Sequence, residues 1–334
     1  MNLTNYSATA NKTYQADSLF PCPLLDRFLQ ESRGTLDIIY IVNCAINAVF
    51  SLTAVFANAL VIASIWRAPS LRAPIYYLLF GLAVSDFGVG FLAQPFYVLY
   101  KVAGLYKRSH LSCVAGISFV FISNQLSGVS FLTVTLISLD RVLALYLHLR
   151  YNEVLTLQRV KLALFVTWLL SAGANIAWLT SVKAYYFIVA SGFAIFLTAT
   201  LLAYLMVFRT VKRHHLQIRQ QTTAVLHLSS ASSQGNPNSQ ANAIERNKED
   251  TARFRNLSMA MFLVYLVFLL CIFPLMCVLL IASFHGRGTA VEIAFNFTMA
   301  LVFINSTLNP FLYCFRLKTL RREVWNTLRS LVSV

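Results

Sequence analysis

Charge is scarce in this sequence. Asp, Glu, Lys and Arg make up 12% of its 334 residues, where soluble globular domains carry about 25%. That shortfall, beside 58% apolar residues, points to a chain whose outer face meets lipid rather than water. Acidic residues are the scarcer sign: 12 Asp and Glu stand against 27 Lys and Arg, for a net charge of +15. Such a balance suits nucleic acid or an anionic membrane surface. The basic residues fall mostly between apolar runs, which favours the membrane and argues against nucleic acid.

Cysteines at metal-binding spacing are also missing. The six, at 22, 44, 113, 271, 277 and 314, include no CxxC, so zinc and thiol redox chemistry lack their usual pattern. No secretory leader is visible, because the first 36 residues are polar and show no basic start with an apolar core. The first apolar run is expected to serve as its own targeting signal. Paired carboxylates, a His–Cys set and an HExxH are absent from the apolar runs, so no enzyme is expected. There is no internal repeat of the kind that builds transporters from inverted halves.

What the chain has in abundance is long apolar runs. A membrane-spanning helix needs about 20 such residues. Seven stretches qualify, at 38–66, 74–100, 111–144, 158–181, 184–211, 255–284 and 290–314. Strands of a membrane barrel are about 10 residues long and alternate, so these are helices. The fold class is an all-α membrane protein, a seven-transmembrane helix bundle. Only LTSVKAYY separates the fourth span from the fifth.

Basic residues set the orientation. With the N-terminus outside, the inner segments hold 19 Lys and Arg and the outer segments eight, Lys101, Lys107 and Arg108 among the latter. The sequons at Asn2, Asn5 and Asn11 agree, since glycans are added outside the cytosol. The expected organisation is an extracellular glycosylated segment over 1–37 and the bundle over 38–314. A third inner loop covers about 212–254, and 315–334 forms an amphipathic tail. Within that loop SSASSQGNPNSQANA, residues 229–243, is low-complexity and expected to be disordered. The flanking VKRHH and ARFRN are expected to prolong helices five and six. After the seventh span Leu317, Leu320, Val324 and Leu328 keep helical spacing among Lys and Arg, which predicts a short amphipathic cytosolic helix on the membrane surface.

Charges inside spans carry function by default, because each costs about 2.5–3.5 kcal/mol at the bilayer centre. Asp86 stands alone in LAVSDFGVG. Its candidate partners are Asn58, Ser130, Asn305, Ser306 and Asn309, and the last lies one turn from Asn305. A carboxylate among neutral oxygens suits a small hard cation such as sodium. A wetted polar cluster around a protonated Asp86 suits the same residues. Asp140 and Arg141 close another apolar run, LISLDRV. Taken alone, Arg141 reads as a snorkelling anchor at a helix end.

The marks then accumulate in order, one per helix: Asn58 in ANALV, Asp86 in LAVSD, ISLDRV, Trp168 in FVTWLLS, Tyr204 in LLAYLMV, Pro274 in LCIFP, and NSTLNPFLY. In this set the chain resembles the rhodopsin-like (class A) G-protein-coupled receptors from about residue 38 to 330. The resemblance implies that Asp140 holds Arg141 at rest. It also implies that Tyr204 and Tyr313 help the freed Arg141 face a heterotrimeric G protein, and that helix six swings about Pro274. Asn309, Pro310 and Tyr313 form the intact NPxxY. Receptor kinases and arrestin, a plasma-membrane location, contact with membrane lipid and sodium as an allosteric ligand are implied with them. No other cofactor is.

The departures are specific. Val142 replaces the usual Tyr of the DRY motif, and Ile272 the usual Trp of CWxP. Gly116 stands where the family has its helix-three Cys, with Cys113 one turn earlier, and Cys22 is the outer partner that remains for it. Phe196 replaces the helix-five Pro. The very short second outer loop and the LYLHLRY run resemble the melanocortin, cannabinoid, adenosine and lysophospholipid receptors. Phe254 stands where many relatives have an acid facing Arg141, with Asp250 a turn earlier, so raised basal signalling is expected.

For the ligand, the family's retinal-binding Lys is Phe303 here, and the Asp with which its monoamine receptors bind ammonium is Ser123. Gln94, Ser123, Asn124, Trp178, Tyr185, Asn296 and Met299, with Asn175, are the candidate contacts in the outer half, suited to an uncharged lipid, nucleoside or short peptide. Lys101, Lys107, Arg108 and Lys183 read as solvated rim charges. A competing function for the same bundle is a transporter or lipid scramblase without G-protein coupling, with Asp86 lining its path.

Overall fold

The computed structural model describes residues 37–147, 150–180, 182–229, 237–285 and 288–332, with the backbone alone over 214–229 and 237–255. Eight helices carry the architecture: α1 Asp37–Arg67, α2 Pro74–Leu105, α3 Ser109–Leu147, α4 Leu157–Thr180, α5 Val182–Ser229, α6 Pro237–His285, α7 Thr289–Arg316 and α8 Lys318–Val332. Each of α1 to α7 contains a stretch long and apolar enough to cross a membrane. The chain is thus a multi-pass membrane protein of seven spans, and α8 follows the last.

The bundle is built inside-out relative to a soluble fold. Large apolar side chains such as Phe56, Trp66, Phe165, Leu270 and Phe311 are exposed, while Asn58, Asp86, Asn296 and Asn309 are fully buried. Lipid solvates the first group as well as protein does, so polar pairing inside the bundle decides which face turns inward. Half or more of the apolar window of α2, α3 and α7 is buried, against 17% for α5. The tightly held axis is therefore α2–α3–α7, and α5 stands at the loose edge.

Two devices set the register of α2. Pro74 opens it after an extended Ala73, where the missing N–H costs nothing. Midway, at Val89–Ala93, one turn widens, and the Gln94 N–H bonds to Val89 O, five residues back. Pro95 follows at once; the wide turn relieves the clash that its ring makes with the turn before. The same turn brings α2 against α1. A Cβ at Gly90 would lie 2.9 Å from Ala54 Cβ and 3.0 Å from Ser51 O, so only glycine fits. The freed Gly90 carbonyl accepts a hydrogen bond from Ser51 Oγ at 2.7 Å.

Several boundaries differ from the expectations. α2 runs to Leu105, so Lys101 belongs to the helix and not to a rim loop. α4 ends at Thr180 and α5 begins at Val182, leaving one residue between them. α6 starts at Pro237, so residues 237–243, expected as disordered, are helical; Pro tolerates the first turn of a helix. Residues 230–236 of that stretch lie outside the described residues, as do Asn2, Asn5, Asn11 and Cys22. The extensions of α5 and α6 beyond the bilayer are as VKRHH and ARFRN predict.

α8 leaves α7 through an extended Leu317. Leu320 and Val324 pack on the bundle while Trp325 and Leu331 are exposed, the amphipathic pattern of a surface helix. Glu323 accepts a hydrogen bond from Ser70 Oγ at 3.0 Å, tying α8 to the α1–α2 turn. That bond holds the Glu323 carboxyl below the usual carboxylate range.

Candidate functional site

At one end of the bundle, Arg141 Nε donates to Asp140 Oδ2 at 2.9 Å, and its Nη2 donates to the same oxygen. Both residues are buried. The other oxygen, Asp140 Oδ1, accepts from Tyr151 OH at 2.7 Å. Tyr151 sits on a single helical turn, Tyr151–Val154, that folds back beneath α3. Burial first, and the neighbouring Asp140 second, push its hydroxyl well above the usual phenol range. The sequence reading missed Tyr151, though it is the last residue of the LYLHLRY run. Tyr204 OH accepts from Ser138 Oγ at 3.4 Å, and its ring meets Phe262 edge-on at 4.9 Å. Tyr313 is fully buried, and its hydroxyl has no partner among the described residues. Arg141 is held by Asp140, and no bond joins it to Tyr204 or Tyr313. The side chains of Asp250 and Phe254 lie outside the described residues.

In mid-bundle Asn309 Nδ2 donates to Asp86 Oδ2 at 2.8 Å, and the Ser130 and Ser306 hydroxyls lie against the same carboxylate. Ser130 Oγ donates to Ser85 Oγ at 2.9 Å. Asn58 Nδ2 donates to the Ser306 carbonyl at 3.0 Å. Four buried acceptors here have no partner among the described residues: Asn58 Oδ1, Asp86 Oδ1, Asn305 Oδ1 and Asn309 Oδ1. Asn305, with Ser130 and Ser306, lines a void of about 10 Å³ that Asp86 and Asn309 do not reach. That is room for one water-sized particle. Spare oxygens and one carboxylate make a donor set fit for a small hard cation.

The ligand candidates divide. Ser123, Asn124, Trp178, Tyr185 and Met299 line a cavity of about 630 Å³ between α3, α4, α5, α6 and α7, with Asn175 beside them. Its lining is mostly apolar and, among the described residues, contains no Asp, Glu, Lys, Arg or His. Phe131 forms part of the floor, with Phe193 and Phe268 stacked on it at 5.5 and 5.8 Å. Ser127, Ile272 and Val302 belong to this wall and also to that of the small void. One layer of side chains therefore separates the two.

Gln94 and Asn296 do not line the cavity. Both are fully buried in a chain of polar contacts between α1, α2 and α7. Gln94 Nε2 reaches Asn47 Oδ1 at 3.5 Å, and Asn47 Nδ2 donates to Asn43 Oδ1 at 2.7 Å. Asn43 Nδ2 donates to Asn296 O at 2.8 Å, and Tyr97 OH donates to Asn296 Oδ1 at 2.7 Å. The chain ends at an ion pair that sequence reasoning missed. Lys101 Nζ lies 3.0 Å from Glu292 Oε1, with side-chain exposures of 3% and 6%. The ammonium also sits 4.2 Å from the Tyr40 ring centre and 5.0 Å from that of Tyr100. Lys101 is a core residue and not a solvated rim charge, because α2 carries it past the expected end of the span. Cys113 is disulfide-bonded, while Cys44, Cys271, Cys277 and Cys314 are free; Cys22 lies outside the described residues.

Comparison with known sequences converges on one group. The family described as 7 transmembrane receptor (rhodopsin family) matches residues 57–185 and 176–313. The chain is 32% identical over 130 residues to the adenosine receptor A2a of Cavia porcellus and 35% identical over 138 residues to the adenosine receptor A2b of Gallus gallus. Those segments cover 39% and 41% of this chain but only 31% and 38% of the two receptors' own lengths. The octopamine receptor beta-1R of Drosophila melanogaster is 23% identical over 338 residues, covering 91% of this chain and 66% of that receptor.

Proposed function

The chain belongs to the rhodopsin family of seven-transmembrane receptors, and from that membership we propose that it passes ligand binding in the 630 Å³ cavity to a heterotrimeric G protein at the Arg141 end. The carrying observation is that Ile272 lines both the cavity and the void beneath it, two residues before Pro274 inside α6. A ligand that presses on Ile272 acts next to the weakest point of α6, where proline removes a backbone hydrogen bond. Beyond that pivot, α6 is tied to α5 through Tyr265 OH, which donates to Leu197 O at 3.2 Å, and through the Phe262–Tyr204 contact. Outward movement of α6 breaks those contacts and frees Tyr204 to receive Arg141 from Asp140. Ligand and G protein then favour the same open form, so each raises the affinity of the other.

The proposed setting is the plasma membrane with the N-terminal segment outside, supported by the excess of Lys and Arg on the other side. Receptor kinases acting on the serines near Ser229, and arrestin, complete the proposed partners. The proposed ligand is uncharged. An amine such as octopamine is a cation, and no carboxylate lines the cavity among the described residues. Adenosine, like the ligand proposed here, is uncharged. The test is ligand-independent G-protein activation in cells at matched surface expression. Arg141→Ala is expected to abolish it, and equal activity in both proteins would count against coupling and for transport.

Sodium is the proposed small ion. Asp86, Ser130, Asn305, Ser306 and Asn309 would hold it, and it would supply a positive charge that keeps Asp86 ionised and the α2–α3–α7 core closed. Raising sodium, with choline as the ionic-strength control, is expected to raise the thermal midpoint of the purified protein, and Asp86→Asn is expected to remove that dependence. An unchanged sodium response in Asp86→Asn would place the ion elsewhere.

A further inference from the structure

The large cavity is finished on three sides and open on the fourth. Toward the Lys101 end its ceiling is aromatic: Trp178, Tyr185 and Phe295 line it and pack in one cluster with Tyr100. The open side faces lipid. On α6 the exposed residues Leu266, Leu270, Phe273, Leu280 and Phe284 fall three, four or seven apart, one stripe along the helix. Phe273 and Leu280, each 57% exposed, and the half-buried Cys277 between them belong to that lipid stripe, yet all three line the cavity. Opposite them on α5, Ile188 lines the cavity and is exposed. One turn on is Gly192, where a Cβ would meet nothing within 4 Å. The side chain that would close the α5–α6 seam is absent, and α5 is the least buried span.

Tyr185 on α5 apart, the polar groups of the cavity lie on the far wall, on α3 and α4. Asn175 is 1% exposed. Its Nδ2 donates to Gln125 Oε1 at 3.0 Å, and its Oδ1 is a buried acceptor with no partner among the described residues. Asn124 and Ser127 line the same wall. An ionised head group would meet no counter-charge there among the described residues, and a buried unpaired charge is strongly unfavourable.

We propose that the cavity takes an uncharged amphiphile out of the bilayer through the α5–α6 seam, its hydrogen-bonding head on Asn175 and its apolar chain along Gly192 and Phe273. This rests on the cavity being the ligand site, but its test does not depend on signalling. Cys277 is a free thiol in the seam, and thiols add across the double bond of N-ethylmaleimide without a leaving group. In the full-length receptor in lipid nanodiscs, with Cys277→Ser to subtract the other cysteines, Cys277 is expected to react with N-ethylmaleimide and to resist a membrane-impermeant cationic methanethiosulfonate. Monooleoylglycerol is expected to slow the maleimide reaction at least tenfold, and oleate at pH 8 to leave it unchanged. Gly192→Leu, and separately Ile188→Trp on the same helix, are expected to slow it by a similar factor. Equal reaction with the cationic reagent would overturn the lipid entrance, as would unaltered rates in both variants. Protection by oleate, or by adenosine but not monooleoylglycerol, would overturn the neutral amphiphile. Failure of the Arg141→Ala assay with these labelling results intact would remove the coupling and leave the lipid site.

Discussion

Glu292→Gln is expected to destabilise the purified receptor by about 3–5 kcal/mol, the usual cost of removing one partner from a buried pair. The reason lies in what remains. Lys101, with 3% side-chain exposure, would lose the carboxylate 3.0 Å away, and the Tyr40, Tyr97 and Tyr100 rings around it, at 4.2 to 5.9 Å, attract a cation but carry no countercharge. A Gln at 292 still accepts from Tyr40 OH and Asn296 Nδ2, which now reach Oε1 at 3.3 Å each, so the loss isolates charge from hydrogen bonding. Lys101→Met is expected to cost a similar amount by stranding the carboxylate. The double variant Lys101→Met/Glu292→Gln is expected to regain most of the loss, since a neutral pair owes no desolvation. Thermal unfolding midpoints and the double-mutant coupling energy check this. Single variants within about 1 kcal/mol of the parent, the range of exposed pairs, would mean that water or lipid head groups reach the site.

That pair also marks where the sequence stopped being legible. The seven spans were readable because lipid demands about 20 apolar residues in a row. The Asp86–Asn309 and Asp140–Arg141 contacts were readable from motifs whose spacing puts each on its helix. Lys101 was not, because a charge after an apolar run reads as the end of a span. Its partner lies 191 residues away, and nothing local announces Glu292. Gln94 and Asn296 were assigned to the ligand cavity on depth alone. Their true direction follows from the wide turn at Val89–Ala93. One extra residue in a turn rotates everything after it by about 100°. Gln94, Tyr97 and Lys101 therefore turn toward α1 and α7, away from the cavity between α3 and α6. The Pro95 that accompanies the turn is visible in the sequence; the register shift is not. Tyr151 escaped for a similar reason, since it stands on a separate turn, Tyr151–Val154, and meets Asp140 across eleven residues.

Asp140→Asn is expected to raise ligand-independent G-protein activation well above that of the parent protein. Asp140 holds Arg141 through two donors to one oxygen. Hydrogen bonds to charged groups contribute about 1.5–3 kcal/mol each. Losing about 1.4 kcal/mol from the closed form shifts the closed-to-open ratio tenfold, so the expected gain is one to two orders of magnitude if the closed form dominates at rest. Tyr151→Phe is the finer probe. It leaves the carboxylate and Arg141 in place and removes only the donor 2.7 Å from Asp140 Oδ1. Free of Tyr151, Asp140 is less well oriented toward Arg141, and a smaller rise in basal output is expected. Burial and Asp140 hold the Tyr151 hydroxyl protonated far into the alkaline range. The folded-state value is raised, so the protonated donor is present throughout the physiological range and is lost only at higher pH, and basal output should not change with pH through this group. The check is second-messenger accumulation at matched surface expression, with Arg141→Ala added to each variant. Arg141→Ala should silence both, because it deletes the group that Asp140 restrains. If Asp140→Asn were as quiet as the parent, Arg141 would be anchoring the helix end, and the restraint on α6 would have to lie in the Phe262–Tyr204 and Tyr265–Leu197 contacts between α5 and α6.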